Sequence, residues 1–130
     1  MTGNDFLIDT SIIVDIFGGN TEFADKLSDV NSLYISSIVL GELYVGINRV
    51  SNKTKHLKKL QSFLDLCTVL PVDDKTADYF GQIMASLFKK GKPIPTNDVW
   101  IAATAKQYAL TLISKDAHFA LVDDLLLYSW

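Results

Sequence analysis

The feature that most constrains this sequence is a unit that occurs twice. A short apolar run is halted by small polar residues, and helical periodicity follows at once. Phe6-Leu7-Ile8 stops at Asp9-Thr10-Ser11, all good helix-capping types, and Ile12, Ile13, Ile16 and Phe17 then recur at helical spacing until Gly18-Gly19. Leu33-Tyr34-Ile35 stops at Ser36-Ser37, and Val39, Leu40, Leu43, Tyr44 and Ile47 follow as one helix face. A strand feeding a helix in this way is a parallel crossover unit. Later segments keep the alternation. Leu57, Leu60, Phe63 and Leu64 form one helical stripe, and Ala77, Phe80, Ile83, Met84, Leu87 and Phe88 form another. Between them Cys67-Thr68-Val69-Leu70 has the character of a strand closed by Pro71. After the breakers Gly91, Pro93 and Pro95, the pattern predicts a last helix over Asn97–Ala109 and strands at Leu110–Ile113 and Leu125–Tyr128. The expected class is α/β: a single domain over 1–130, with a central, mostly parallel sheet between helices in three layers.

Length and composition narrow the functions open to such a domain. One hundred and thirty residues suit one core and no second. A single cysteine excludes an internal disulfide. Neither a signal-peptide pattern at the N-terminus nor an apolar run of about 18 residues is present, so a cytoplasmic location is expected and a membrane span is not. Fifteen acids against twelve bases, with Arg49 the lone arginine, speak against a module that holds nucleic acid by bulk charge.

Ligands of parallel sheets sit beyond the carboxyl ends of the strands, so polar residues there carry the functional signal. Asp9 directly follows the first run, and Asp116 follows Leu112-Ile113 across Ser114-Lys115. Asp98 lies in the first turn of the last helix. Ile101, Ala102, Ala105 and Ala109 share its face, which lets that helix press against the sheet and turns the carboxylate inward at the rim. Glu42 sits off the apolar stripe of its own helix, between Gly41 and the nearby Gly46, on a segment apolar on both sides. Both sides are expected to be covered, and a buried carboxylate there needs a partner. Four acids from four segments can converge on an oxygen-rich pocket suited to Mg²⁺ or Mn²⁺, and such a pocket supports phosphodiester hydrolysis.

These residues resemble those of PIN-domain ribonucleases, most of all the VapC-type toxins of toxin-antitoxin pairs. The matching stretches are Ile8-Asp9-Thr10-Ser11, Ser36-Ser37-Ile38-Val39-Leu40-Gly41-Glu42-Leu43, Ile94-Pro95-Thr96-Asn97-Asp98-Val99-Trp100-Ile101-Ala102-Ala103 and Leu112-Ile113-Ser114-Lys115-Asp116-Ala117-His118-Phe119, in family order. The resemblance implies a metal-dependent endoribonuclease in which Asp9, Glu42, Asp98 and Asp116 hold Mg²⁺ or Mn²⁺ and orient the attacking water. Ser114, Thr10, Ser11 and Asn97 would support them. It also implies an RNA substrate, a homodimer and a cognate antitoxin.

Plainer explanations compete with each of these. A lone Asp9 or Asp98 would be read as a helix cap. Asp15, Asp73, Asp74, Asp123 and Asp124 are read as surface or helix-start residues, and Cys67 as a small core residue. Trp100, Trp130 and Leu125-Leu126-Leu127-Tyr128 are read as core or interface. His118 is read as a partly buried loop residue packed beside Phe119. Two acid-free basic segments, carrying Arg49 and Lys53 in one and Lys89 and Lys90 in the other, are either solvated faces or an RNA-backbone track. Three rival functions stand beside the leading one: a response-receiver-like phosphoacceptor domain, a PIN-fold RNA-processing nuclease that is not a toxin, and an inactive binding module. The last should lack one or more of the four acids, and all four are present. Setting those acids aside leaves eleven against twelve bases, so the acidic balance is no larger than the proposed site itself.

Overall fold

In the computed structural model, residues 5–28 and 32–129 are described. The first four residues and Trp130 lie outside them. The elements run β1 (Asp5–Ile8), α1 (Thr10–Phe17), α2 (Thr21–Ser28), β2 (Ser32–Ser36), α3 (Ser37–Asn48), α4 (Lys53–Leu64), β3 (Cys67–Leu70), α5 (Asp74–Lys90), α6 (Thr96–Gln107), β4 (Thr111–Ser114), a 3-10 turn (Ala117–Leu121) and β5 (Leu127–Ser129). Both repeated units of the sequence are strand-to-helix junctions here, with Asp9 capping α1 and the Ser36 hydroxyl accepting from Ile38 N–H and Val39 N–H at α3.

The sheet has five strands in the order β3-β2-β1-β4-β5, and every pairing is parallel. The chain winds outward from β1 through β2 to β3, then crosses back to place β4 and β5 on the other side. Right-handed crossovers therefore put α1–α4 over one face and α5 and α6 over the other. Covered on both faces, the central strands each carry consecutive apolar residues at their middle, and Leu7, Ile8, Ile35, Leu112 and Ile113 are fully buried. Each such side chain contributes about 1.5–3 kcal/mol by leaving water. The order reverses between β1 and β4, and parallel sheets bind ligands at such a switch point.

Helix α6 is more deeply buried than its alanine stripe predicts. Ile101, Ala102, Ala103, Thr104 and Ala105 are all inaccessible in succession, because α5 covers the side turned away from the sheet. The Thr104 hydroxyl is satisfied by donating to Trp100 O at 2.9 Å. Three readings of the apolar pattern are corrected. Helix α2, anchored by Phe23 and Leu27, is an element that the pattern does not reveal. Leu57 and Phe88, counted in core stripes, are exposed. In α3 the buried row is Val39, Leu43 and Ile47 alone, while Tyr44 and Val45 face outward. The second side of α3 is thus uncovered within one chain. Among the described residues, no helix is long and apolar enough to cross a membrane.

Candidate active site

The four acids reach one rim by different local routes. Asp9 is the N-cap of α1, 5% exposed, and both of its oxygens are engaged. Thr10 N–H donates to Oδ1 at 2.8 Å, while the hydroxyls of Ser11 and Ser114 donate to Oδ2 at 3.2 and 2.7 Å. Ser114 in turn accepts from Asp116 N–H at 3.0 Å, so one buried hydroxyl ties the ends of β1 and β4 together. Asp116 caps the 3-10 turn and accepts from His118 N–H at 2.9 Å.

Asp98 differs. It stands in the first turn of α6, whose N-cap is Pro95, and no side chain caps that helix. Capping therefore does not explain it. Its side chain is only 16% exposed, turned inward as the alanine face requires. Burial, then the negative charges of Asp116 and Asp9, push its carboxyl up to about 6, although a hydrogen bond and charge from His118 oppose the rise. Glu42 joins by a relay, since its Oε1 accepts from the Thr10 hydroxyl at 2.9 Å and Thr10 N–H holds Asp9. The N-termini of α1 and α6 point at this cluster, and their dipoles favour its charge.

Three of the supporting residues, Thr10, Ser11 and Ser114, lie within hydrogen-bond reach of an acid. Asn97 is exposed at the start of α6, and no hydrogen bond ties it to the acids among the described residues. Arg49 and Lys53 are exposed around the α3–α4 junction, and Lys89 is exposed at the end of α5. Lys90 is committed elsewhere, to Asp123 Oδ1 at 2.5 Å and Leu121 O at 3.0 Å. Asp15, read as an outer-face residue, pairs with Lys115.

His118 is the residue that the sequence misplaces. It is not buried in a loop but half exposed on the 3-10 turn. Its side chain is 49% exposed, and Nδ1 lies 3.0 Å from Asp116 Oδ1 and 3.4 Å from Asp98 Oδ2. Between α1, α3 and α4, a largely apolar hollow of about 300 Å³ opens beside Glu42, lined by Val14, Phe17, Leu43, Gly46 and Ile47 among others.

A receiver-like domain needs a phosphoacceptor aspartate directly after a central strand, paired with an acid near Asp9. The acid in that place is Glu42, which lies within helix α3, so the receiver alternative is not favoured. The family pattern decides the matter: the PIN domain matches residues 6–125. The chain belongs to the PIN domain family. Among relatives of this PIN domain, Ribonuclease VapC2 of Haemophilus influenzae is 31% identical over 113 residues, covering 85% of this chain and 86% of that protein. Ribonuclease VapC1 of Rickettsia felis is 36% identical over 112 residues, covering 83% and 82%. The PIN fold seen here superposes on VapBC2 from Rickettsia felis, solved bound to a DNA fragment from their promoter, with a TM-score of 0.91. The identity is 29%, covering 97% of this chain and 98% of that one.

Proposed function

We propose that this PIN domain is a divalent-metal-dependent endoribonuclease and the toxin of a toxin-antitoxin pair. The observation that carries the reading is the meeting of Asp9, Asp98 and Asp116 at the switch point of the sheet, where Asp98 is pushed up to about 6 by burial and by the other two. Carboxylates so placed repel one another unless a cation lies among them. The donors are hard oxygens, which suits Mg²⁺ or Mn²⁺. When bound, such an ion supplies positive charge against a phosphoryl oxygen and makes water more acidic. Asp9, clamped by Ser11, Ser114 and Thr10, would hold the ion together with Asp98 and Asp116, and Glu42, oriented by the Thr10 hydroxyl, would accept a hydrogen bond from a water at the site.

The test is RNA cleavage by the whole chain with Mg²⁺ or Mn²⁺, with chelator, and with Asp98→Asn. Cleavage is expected only in the first case. Metal-dependent cleavage retained by Asp98→Asn would remove Asp98 from the site.

The VapC names of the relatives and the VapBC complex favour a toxin over an RNA-processing nuclease. The hollow beside Glu42 suits an apolar segment of an antitoxin, which would lie next to the acids. The exposed Tyr44 and Val45 on the uncovered side of α3 suit self-association into a homodimer. Gly46 lines the hollow, and a Cβ added there meets nothing within 4 Å, so a larger residue can branch from this position into the hollow. Gly46→Trp should therefore fold, remain dimeric and cleave RNA, yet lose the antitoxin complex on sizing chromatography. A monomeric parent chain, or a variant that still forms the complex, contradicts this arrangement.

A further inference from the structure

We infer that His118 is a nitrogen ligand of the centre, joining Asp98 and Asp116 through Nδ1 and biasing the site away from Mg²⁺ toward transition-metal ions. The inference rests on the reading of the acids as a metal site.

Among the described residues, Asp98, Asp116 and His118 form the one trio of carboxylate and imidazole donors whose ligand atoms all lie within 4.8 Å of one another. Asp9 and Glu42 are not in that trio, so the tightest potential chelate includes the imidazole. The local fold explains why. Asp116 caps the 3-10 turn and fixes His118 N–H at 2.9 Å, which brings the ring back over the cap. The start of α6 supplies Asp98 from the other side. Nδ1 then stands 3.0 and 3.4 Å from the two carboxylate oxygens. Adjacent donors at bond lengths of about 2.1 Å around an octahedral ion are separated by about 3 Å, which the 3.0 Å contact to Asp116 matches and the 3.4 Å contact to Asp98 approaches.

As a pure hydrogen-bonding group the ring fits less well. A neutral imidazole has at most one proton on Nδ1, and two acceptors converge there. With the proton on Nε2, which can face water because the side chain is half exposed, the Nδ1 lone pair is free for a cation. Mg²⁺ takes oxygen ligands almost exclusively, whereas imidazole suits transition ions. One histidine among carboxylates therefore changes which ion the centre prefers.

The experiment uses tag-free full-length protein, because the chain's second histidine, His56, then serves as the internal control. Mn²⁺ is titrated in, and the bound ion is examined by pulsed electron paramagnetic resonance for coupling to nitrogen-14. Wild type and His56→Ala should show the coupling, and His118→Ala and His118→Gln should lose it. His118→Ala should also weaken Mn²⁺ binding by about tenfold or more, with a smaller loss for Mg²⁺ measured by displacement. Bound Mn²⁺ without nitrogen coupling, coupling that survives in His118→Ala, or equal losses for both ions would overturn the role of His118 and leave the carboxylate site standing. Failure of the wild-type chain to bind Mn²⁺ would overturn both.

Discussion

The two sides of the rim hold their acids in opposite ways. At the end of β1, Asp9 is buried, and three hydrogen bonds hold its charge where it is. At the start of α6, Asp98 lacks a capping role and has its carboxyl pushed up to about 6; among the described residues His118 alone is close enough to form an ion pair with it. One carboxylate is part of the scaffold as well as the site. The other is held against its preference and gains from a cation. The difference shows how a fold can keep four acids together: it satisfies some of them internally and leaves a remainder for the ligand.

Replacing each acid in turn is the sharpest way to break that contrast. Asp9→Ala and Asp98→Asn should both abolish cleavage, yet they should part on stability. Asp9→Ala strands the Thr10 amide and two hydroxyls, one of them fully buried, and should cost about 1–3 kcal/mol in denaturant unfolding. Asp98→Asn removes a strained charge and should raise the melting temperature of the metal-free protein at pH 7 by about 3–6 °C. Equal destabilisation by the two would erase the distinction.

A smaller effect sharpens it further. Since the folded protein holds the Asp98 proton more tightly than an unfolded chain does, its contribution to stability is present at low pH and is lost as pH rises from about 4 through about 6. In chelator, the stability of wild type relative to Asp98→Asn should therefore fall across that window and level off above it. Asp73 and Asp123, held below the usual carboxylate range by Thr76 and Lys90 respectively, act in the opposite sense, and they cancel in the comparison.

What the sequence disclosed follows the same division. Asp9 and Asp116 were legible because strand and cap are adjacent in the chain, and Asp98 because an alanine face reports close packing. The hydrogen bond from Thr10 to Glu42, which links Glu42 to Asp9, spans 32 positions, and pattern alone does not show it. His118 went unread because its role depends on a 3-10 turn, which has too short a period to leave a hydrophobic signature. Phe88 and Tyr44 fell on helical stripes yet are exposed, since periodicity marks an apolar face without saying whether this chain or another covers it.

The parallel order of the sheet has a consequence for the timing of activity. β1 waits at the centre for β4, whose residues follow it by more than a hundred positions, and Asp116 and His118 arrive only beyond that strand. During synthesis, the nascent chain carries Asp9, Glu42 and then Asp98 without the neighbour that closes the cluster. A ribosome that stalls or terminates before residue 116 releases a chain with an incomplete centre. A centre wound in this way is complete only once the segment carrying Ser114, Asp116 and His118 has emerged.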